Sequence, residues 1–81
     1  DINVGLWEAL RDCRRELAEA QGVPPYVIFH DSTLVEMCSV VPRTLDDFSK
    51  LSGVGERKLM KYGEAFLAAI RDAERAPFDS P

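Results

Sequence analysis

An 81-residue chain has room for one small domain, and 46% hydrophobic against 30% charged residues is the balance of a soluble globular protein, not of a disordered one. A net charge of −4 argues against tight, charge-driven binding along a polyanion and leaves only a local basic patch for such work. No apolar run is long enough for a membrane span, and two separated cysteines without a C-x-x-C or His/Cys cluster offer no zinc site.

Leu6, Leu10, Cys13, Leu17 and Ala20 recur at alternating helical spacings, the stripe of an amphipathic helix. Asn3 is placed to cap its start and Gly22 to stop it. Arg11, Asp12, Arg14, Arg15, Glu16 and Glu19 lie between the stripe positions and read as a mixed-sign, solvated face on which Asp12 can pair with Arg15. Cys13 and Cys38 both fall at apolar helical positions, so two buried, reduced thiols are expected.

Pro24 and Pro25 end the first helix and hold the chain extended. Tyr26-Val27-Ile28-Phe29 has the composition of a strand. No second strand-like run exists to pair with it, and a lone strand leaves its backbone unsatisfied, so a short helical turn or irregular segment against the core is expected. A second helix is predicted from about Ser32 to Val40, with Asp31 as its cap, an apolar face of Leu34, Val35 and Cys38 with Met37 alongside, and Pro42 as its end. Thr44, followed three residues on by Asp47, is a capping-box variant for a short helix over 45–50 that buries Leu45 and Phe48.

Leu51 and Val54 point inward around a Gly53–Gly55 turn. The last helix spans about 56–75, with Leu59, Tyr62, Phe66, Ile70 and Ala73 as its stripe. Gly63 inside it costs ~1 kcal/mol relative to Ala, which points to close helix packing. The fold class is therefore all-α, a compact bundle of about five helices over residues 1–75 with a flexible tail at 76–81. Leu10, Leu17, Leu34, Phe48, Leu59, Phe66 and Ile70 are its expected core. Asp1 in place of an initiator Met makes a module from a longer protein the expectation.

Catalytic readings are poor. His30 stands alone, and Ser32 near it has neither a third group nor an oxyanion element. Asp46 and Asp47 are adjacent on a helix, where neighbours do not face each other, and acids in a first turn complement the helix dipole. No catalytic set, metal or cofactor is expected. The stretch "GVGERKLMK" is different. A glycine turn into a helix exposes backbone N–H groups at a positive dipole end, a setting suited to phosphate. Arg57, Lys58 and Lys61 sit there although cations oppose the dipole, and only Glu56 softens them. Two readings stay open from these residues alone: an anion site, or a tight turn followed by solvated cations.

"VPPYVIFHDSTLVEM", then Pro42 and Thr44, then "LSGVGERKLMKYGEAFLAAI" resemble the HRDC domain, the helicase-and-RNase-D C-terminal module, and most of all those of bacterial RecQ DNA helicases. The resemblance covers about residues 5–75. It implies a five-helix bundle without catalysis of its own that helps its helicase engage single-stranded or structured DNA, weakly. It implies that the tyrosine of the Y-V-[IV]-F run, here Tyr26, contacts DNA, and extends less directly to Arg57, Lys58 and Lys61 beside Gly53 and Gly55. The parent is then an ATP-dependent helicase of DNA repair and recombination, cytoplasmic and bacterial, and this domain a monomer in it. Two other functions are carried forward. The acidic faces would dock on the helicase's own basic surface or on sister HRDC domains, or the domain would belong to an RNase D-type exonuclease and bind RNA.

Overall fold

The computed structural model describes residues 3–75, and five helices connect through short loops among them. The first, α1 (Val4–Gln21), begins where the Asn3 side chain accepts a hydrogen bond from the Leu6 N–H at 3.1 Å. It ends where Gly22 turns left-handed at φ 65°, so that the Gly22 and Val23 N–H groups return to the carbonyls of Glu19 and Ala18. Pro25 then opens α2 (Pro25–Ile28), where a proline costs no hydrogen bond. That single turn splits the strand-like run: Ile28 and Phe29 go fully inward, and Tyr26 and Val27 face out.

Helix α3 (Asp31–Val40) starts one residue earlier than the sequence predicts, with His30 at the cap position. Asp31 is not its cap. Its carboxylate lies 2.8 Å from the Arg14 guanidinium of α1, so the acid joins two helices and caps neither. Val41 ends α3 in a left-handed conformation, and the buried Pro42 prevents its continuation. In α4 (Leu45–Ser49) the Thr44 hydroxyl accepts from the Asp47 N–H at 3.0 Å, as predicted. The Asp47 carboxylate accepts from the Arg43 N–H, one residue before the cap, which places the reciprocal bond outside the usual box. Helix α5 (Glu56–Arg75) completes the bundle.

Helix α1 packs along α5 and also touches α2 and α3, while α4 packs on α5. The centre is aromatic. The Phe29 ring meets Phe66 edge-on at 5.2 Å and lies 6.0 Å from both Tyr62 and Phe48. Leu10, Ile28, Leu34, Met37 and Ile70 close around these rings. Gly63 has the role its position suggested: a Cβ there would stand 2.8 Å from Leu45 Cδ2, so the missing side chain lets α4 approach α5.

Several expectations need correction. Ala20 is exposed and Ala18 takes its place in the interface, because the buried stripe of α1 runs Leu6, Leu10, Arg14, Ala18. Val35 and Leu45 stay about two-fifths exposed, at 40% and 36%, at the edges of their short helices. Leu17 and Leu59 are half-buried against the core. Arg14 departs furthest from its predicted solvated face, since its residue is only 9% exposed. Cys13 and Cys38 are free and half-buried. Burial, with help from Glu16, pushes the Cys13 thiol up from 9.0 to about 11, and burial also raises Cys38. The predicted tail, 76–81, lies outside the described residues.

Candidate nucleic-acid interface

Two groups of predicted site residues occupy different elements. The α2 turn projects Tyr26, whose residue is 60% exposed, so it is a surface ring and not a core ring with its hydroxyl at the rim. Its partner is a residue not singled out as a contact: the His30 imidazole stacks on it, with centroids 6.1 Å apart and planes 19° from parallel. An open groove of ≈ 520 Å³ runs beside the pair, walled by Pro25, Ser32, Asp31 and the edge of Arg14. None of the α5 cations lines it.

The second group is the α3–α5 corner. Gly53 takes φ +82° and would place a Cβ 2.7 Å from Thr33 Oγ1, so glycine is demanded there by the backbone and by the close approach of α3. The Thr33 hydroxyl donates to the Ser52 carbonyl at 3.1 Å and the Glu36 carboxylate accepts from the Ser52 N–H at 3.0 Å, which pins the turn. Gly55 has open space around it and a negative φ, so its role is to start α5 with its carbonyl accepting from Leu59. It has no side chain to cap the first-turn N–H groups. Among the described residues no side chain accepts from the N–H of Glu56, Arg57 or Lys58; α2 and α3 likewise lack a side-chain cap, and α1 and α4 have one.

The cations follow at once. Lys58 stretches its ammonium over the Phe29 ring at 5.7 Å, and Lys61 lies over Tyr62 at 5.6 Å. Arg57 is exposed. Among the described residues no carboxylate pairs with any of the three, while Arg14, Arg15, Arg43, Lys50 and Arg75 each hold one. Lys58 over Phe29 brings the start of α5 to the residue that follows the α2 turn. His30 and Arg14 are the residues that sequence reasoning missed. The spacing of four from Tyr26 to His30 was the available signal for the first, and the spacing of four from Leu10 for the second.

No described helix is long and apolar enough to cross a membrane, and no described group of three His, Cys, Asp or Glu residues gathers as metal ligands. The architecture is that of a small all-α domain of five helices, with an exposed aromatic pair and a basic helix start on its surface. Residues 3–70 match the HRDC domain family, and the chain belongs to that family. It is 48% identical over 69 residues to the ATP-dependent DNA helicase RecQ of Bacillus subtilis, covering 85% of this chain and 12% of that protein. It is 36% identical over 67 residues to the RecQ helicase of Haemophilus influenzae, covering 83% of this chain and 11% of that protein. Among solved structures it resembles D. radiodurans RecQ HRDC domain 3, with a TM-score of 0.87 and 37% identity over 90% of this chain and 96% of that one. It is thus an HRDC domain close to those of bacterial RecQ helicases, and it spans about an eighth of their length.

Proposed function

We propose that this HRDC domain is an accessory module of a RecQ-type ATP-dependent DNA helicase, without catalysis of its own, that binds single-stranded or structured DNA weakly and so tunes the parent enzyme. The observation that carries the reading is the set of three cations at the start of α5. Among the described residues of this acidic chain five cations are paired and five are not, and three of the unpaired ones, Arg57, Lys58 and Lys61, are clustered at one helix start, with Arg11 and Arg71 apart from them in sequence. The three flank N–H groups without a side-chain cap, where a phosphate oxygen would gain both hydrogen bonds and charge. Tyr26 supplies an exposed ring for a base, and stacking of that kind is worth ~1–3 kcal/mol when engaged.

Few phosphate contacts mean weak affinity and a shallow salt dependence, about −0.7 in log–log slope for each phosphate of a single strand. The test is fluorescence anisotropy of a labelled single strand at low and moderate salt, followed by DNA binding of the parent helicase with and without this domain. Binding that weakens with salt, and lower parent affinity on truncation, is the expected result. Higher parent affinity on truncation would instead support docking of the domain on the helicase's basic surface. That alternative has less support, because Asp46 is 3.4 Å from Lys50 and Asp47 already caps the Arg43 N–H.

A further inference from the structure

We propose that His30 is the second ring of a two-ring platform on which an unpaired nucleobase stacks, and that it positions Tyr26 for that contact. The inference rests on the DNA-binding reading above and adds to it a residue and a division of labour. At a helix cap the usual residues spend their side chain on a first-turn N–H. His30 holds the cap position of α3 with an extended backbone and makes no such bond. Its ring is spent on Tyr26. The histidine is therefore not explained by the helix it begins.

The platform is held from below. The His30 carbonyl accepts from the N–H groups of Thr33 and Leu34 at 3.0 and 3.3 Å. On one side of it the Phe29 carbonyl accepts from Arg14 at 3.0 Å, and on the other Asp31 pairs with the same guanidinium at 2.8 Å. One buried arginine thus clamps both neighbours of His30. A single exposed tyrosine on a four-residue helix would have to give up rotamer freedom when a base arrived, and a ring already stacked on a clamped neighbour has given up much of it beforehand.

The electrostatics decide what the platform meets. The Asp31 carboxylate borders the same groove and is paired there with Arg14, so the groove offers no free cation to hold a phosphate. The face of a base needs none. The platform therefore takes the base, and the cations of α5 take the backbone. Stacking of this kind tolerates any base, so little sequence preference follows.

The experiment compares binding of the 81-residue chain to an oligo-dT strand and to an abasic strand of equal length, which has the phosphates without the bases. Wild type should prefer oligo-dT, Tyr26→Ala should lower oligo-dT affinity about fivefold or more, and His30→Ala about two- to fivefold, with abasic binding unchanged. His30→Phe, which keeps a ring, should retain the preference. Thermal midpoints of all three variants should stay near wild type, since both side chains are exposed. If Tyr26→Ala removes the preference and His30→Ala does not, the role of His30 is overturned and the DNA-binding reading stands. If wild type binds both strands equally, the platform is overturned and phosphate binding alone survives. If wild type binds neither strand at low salt, the DNA-binding reading falls and the platform with it.

Discussion

Two stretches of this chain look alike as sequence. Arg11–Arg15 in α1 and Arg57–Lys61 in α5 each place three cations within five positions of an amphipathic helix. In α1 those charges are largely committed. Arg14 is buried against the Phe29 carbonyl and Asp31 and Arg15 pairs with Asp12 at 2.9 Å, whereas Arg11, like the α5 lysines, has only a ring beneath it, Trp7 at 5.9 Å. In α5 no carboxylate meets any of the three among the described residues, and the two lysines lean over aromatic rings. Charge counted along a sequence is not charge available to a ligand: Arg15 is met within its own helix, and Arg14 by groups that only the fold brings to it.

The comparison breaks most visibly at Arg14. Arg14→Ala leaves the buried Phe29 carbonyl without its donor and removes an aliphatic stem from the α1 interface, so a loss of ~2–3 kcal/mol is expected by chemical or thermal denaturation. Arg14→Met restores the packing and should recover part of that loss. Unchanged stability in Arg14→Ala would mean that the two stretches are not different after all.

The α5 stretch should respond in the opposite sense. Arg57→Ala, Lys58→Ala and Lys61→Ala combined should change stability by less than ~1 kcal/mol, since cations near a helix N-terminus are unfavourable there. The same triple variant should flatten the salt dependence of single-strand binding by about 0.7 for each phosphate it no longer neutralises. A triple variant that binds with an unaltered slope would remove α5 from the interface.

Cys13 offers a smaller test inside the first stretch. Its thiol is raised from 9.0 to about 11 by burial and by Glu16. Above pH 9 the unfolded chain releases this proton while the folded chain keeps it, so the folded state is penalised progressively. The stability contribution is complete below about pH 9 and is lost as pH rises toward 11. Cys13→Ala should flatten the denaturation midpoint over that window, and the wild-type thiol should react slowly with iodoacetamide at pH 8 until the protein is denatured. The smallest effect belongs to Arg15→Ala. Its pair with Asp12 is exposed on both sides, and a change of no more than ~0.5 kcal/mol is expected.

The helices were legible because their signals are local. Asn3, Gly22, Thr44 and the Tyr62, Phe66 and Ile70 stripe of α5 work through hydrogen bonds and spacings within a few residues, and each behaves in the fold as it reads in the chain. The same locality led to misreadings. Asp31 looks like a cap because it precedes a helix, yet a guanidinium from another helix claims its carboxylate. Arg14 sits four residues from Leu10 and from Ala18, on the buried face, but its residue type speaks for water. Only the carbonyl exposed by the break between α2 and α3 makes it worth burying.

The candidate site was legible in part. Tyr26 and the "GVGERKLMK" stretch stand out by composition, and Gly53 by the turn it must make. His30 does not stand out, because its significance lies in an imidazole turned away from the helix it begins.

By itself the sequence determined four of the five helices, most of the capping, Phe48 and Phe66 of the core, and the family, since all of these follow from periodicity and short motifs; that Phe29 is the central ring was not among them. Tertiary structure alone decided that Arg14 is buried against Phe29 and Asp31, that Gly53 must clear Thr33, and that the Tyr26 and His30 rings stack. The first two depend on contacts between elements that meet only in three dimensions, and the third on the side-chain torsions that turn two rings four residues apart face to face.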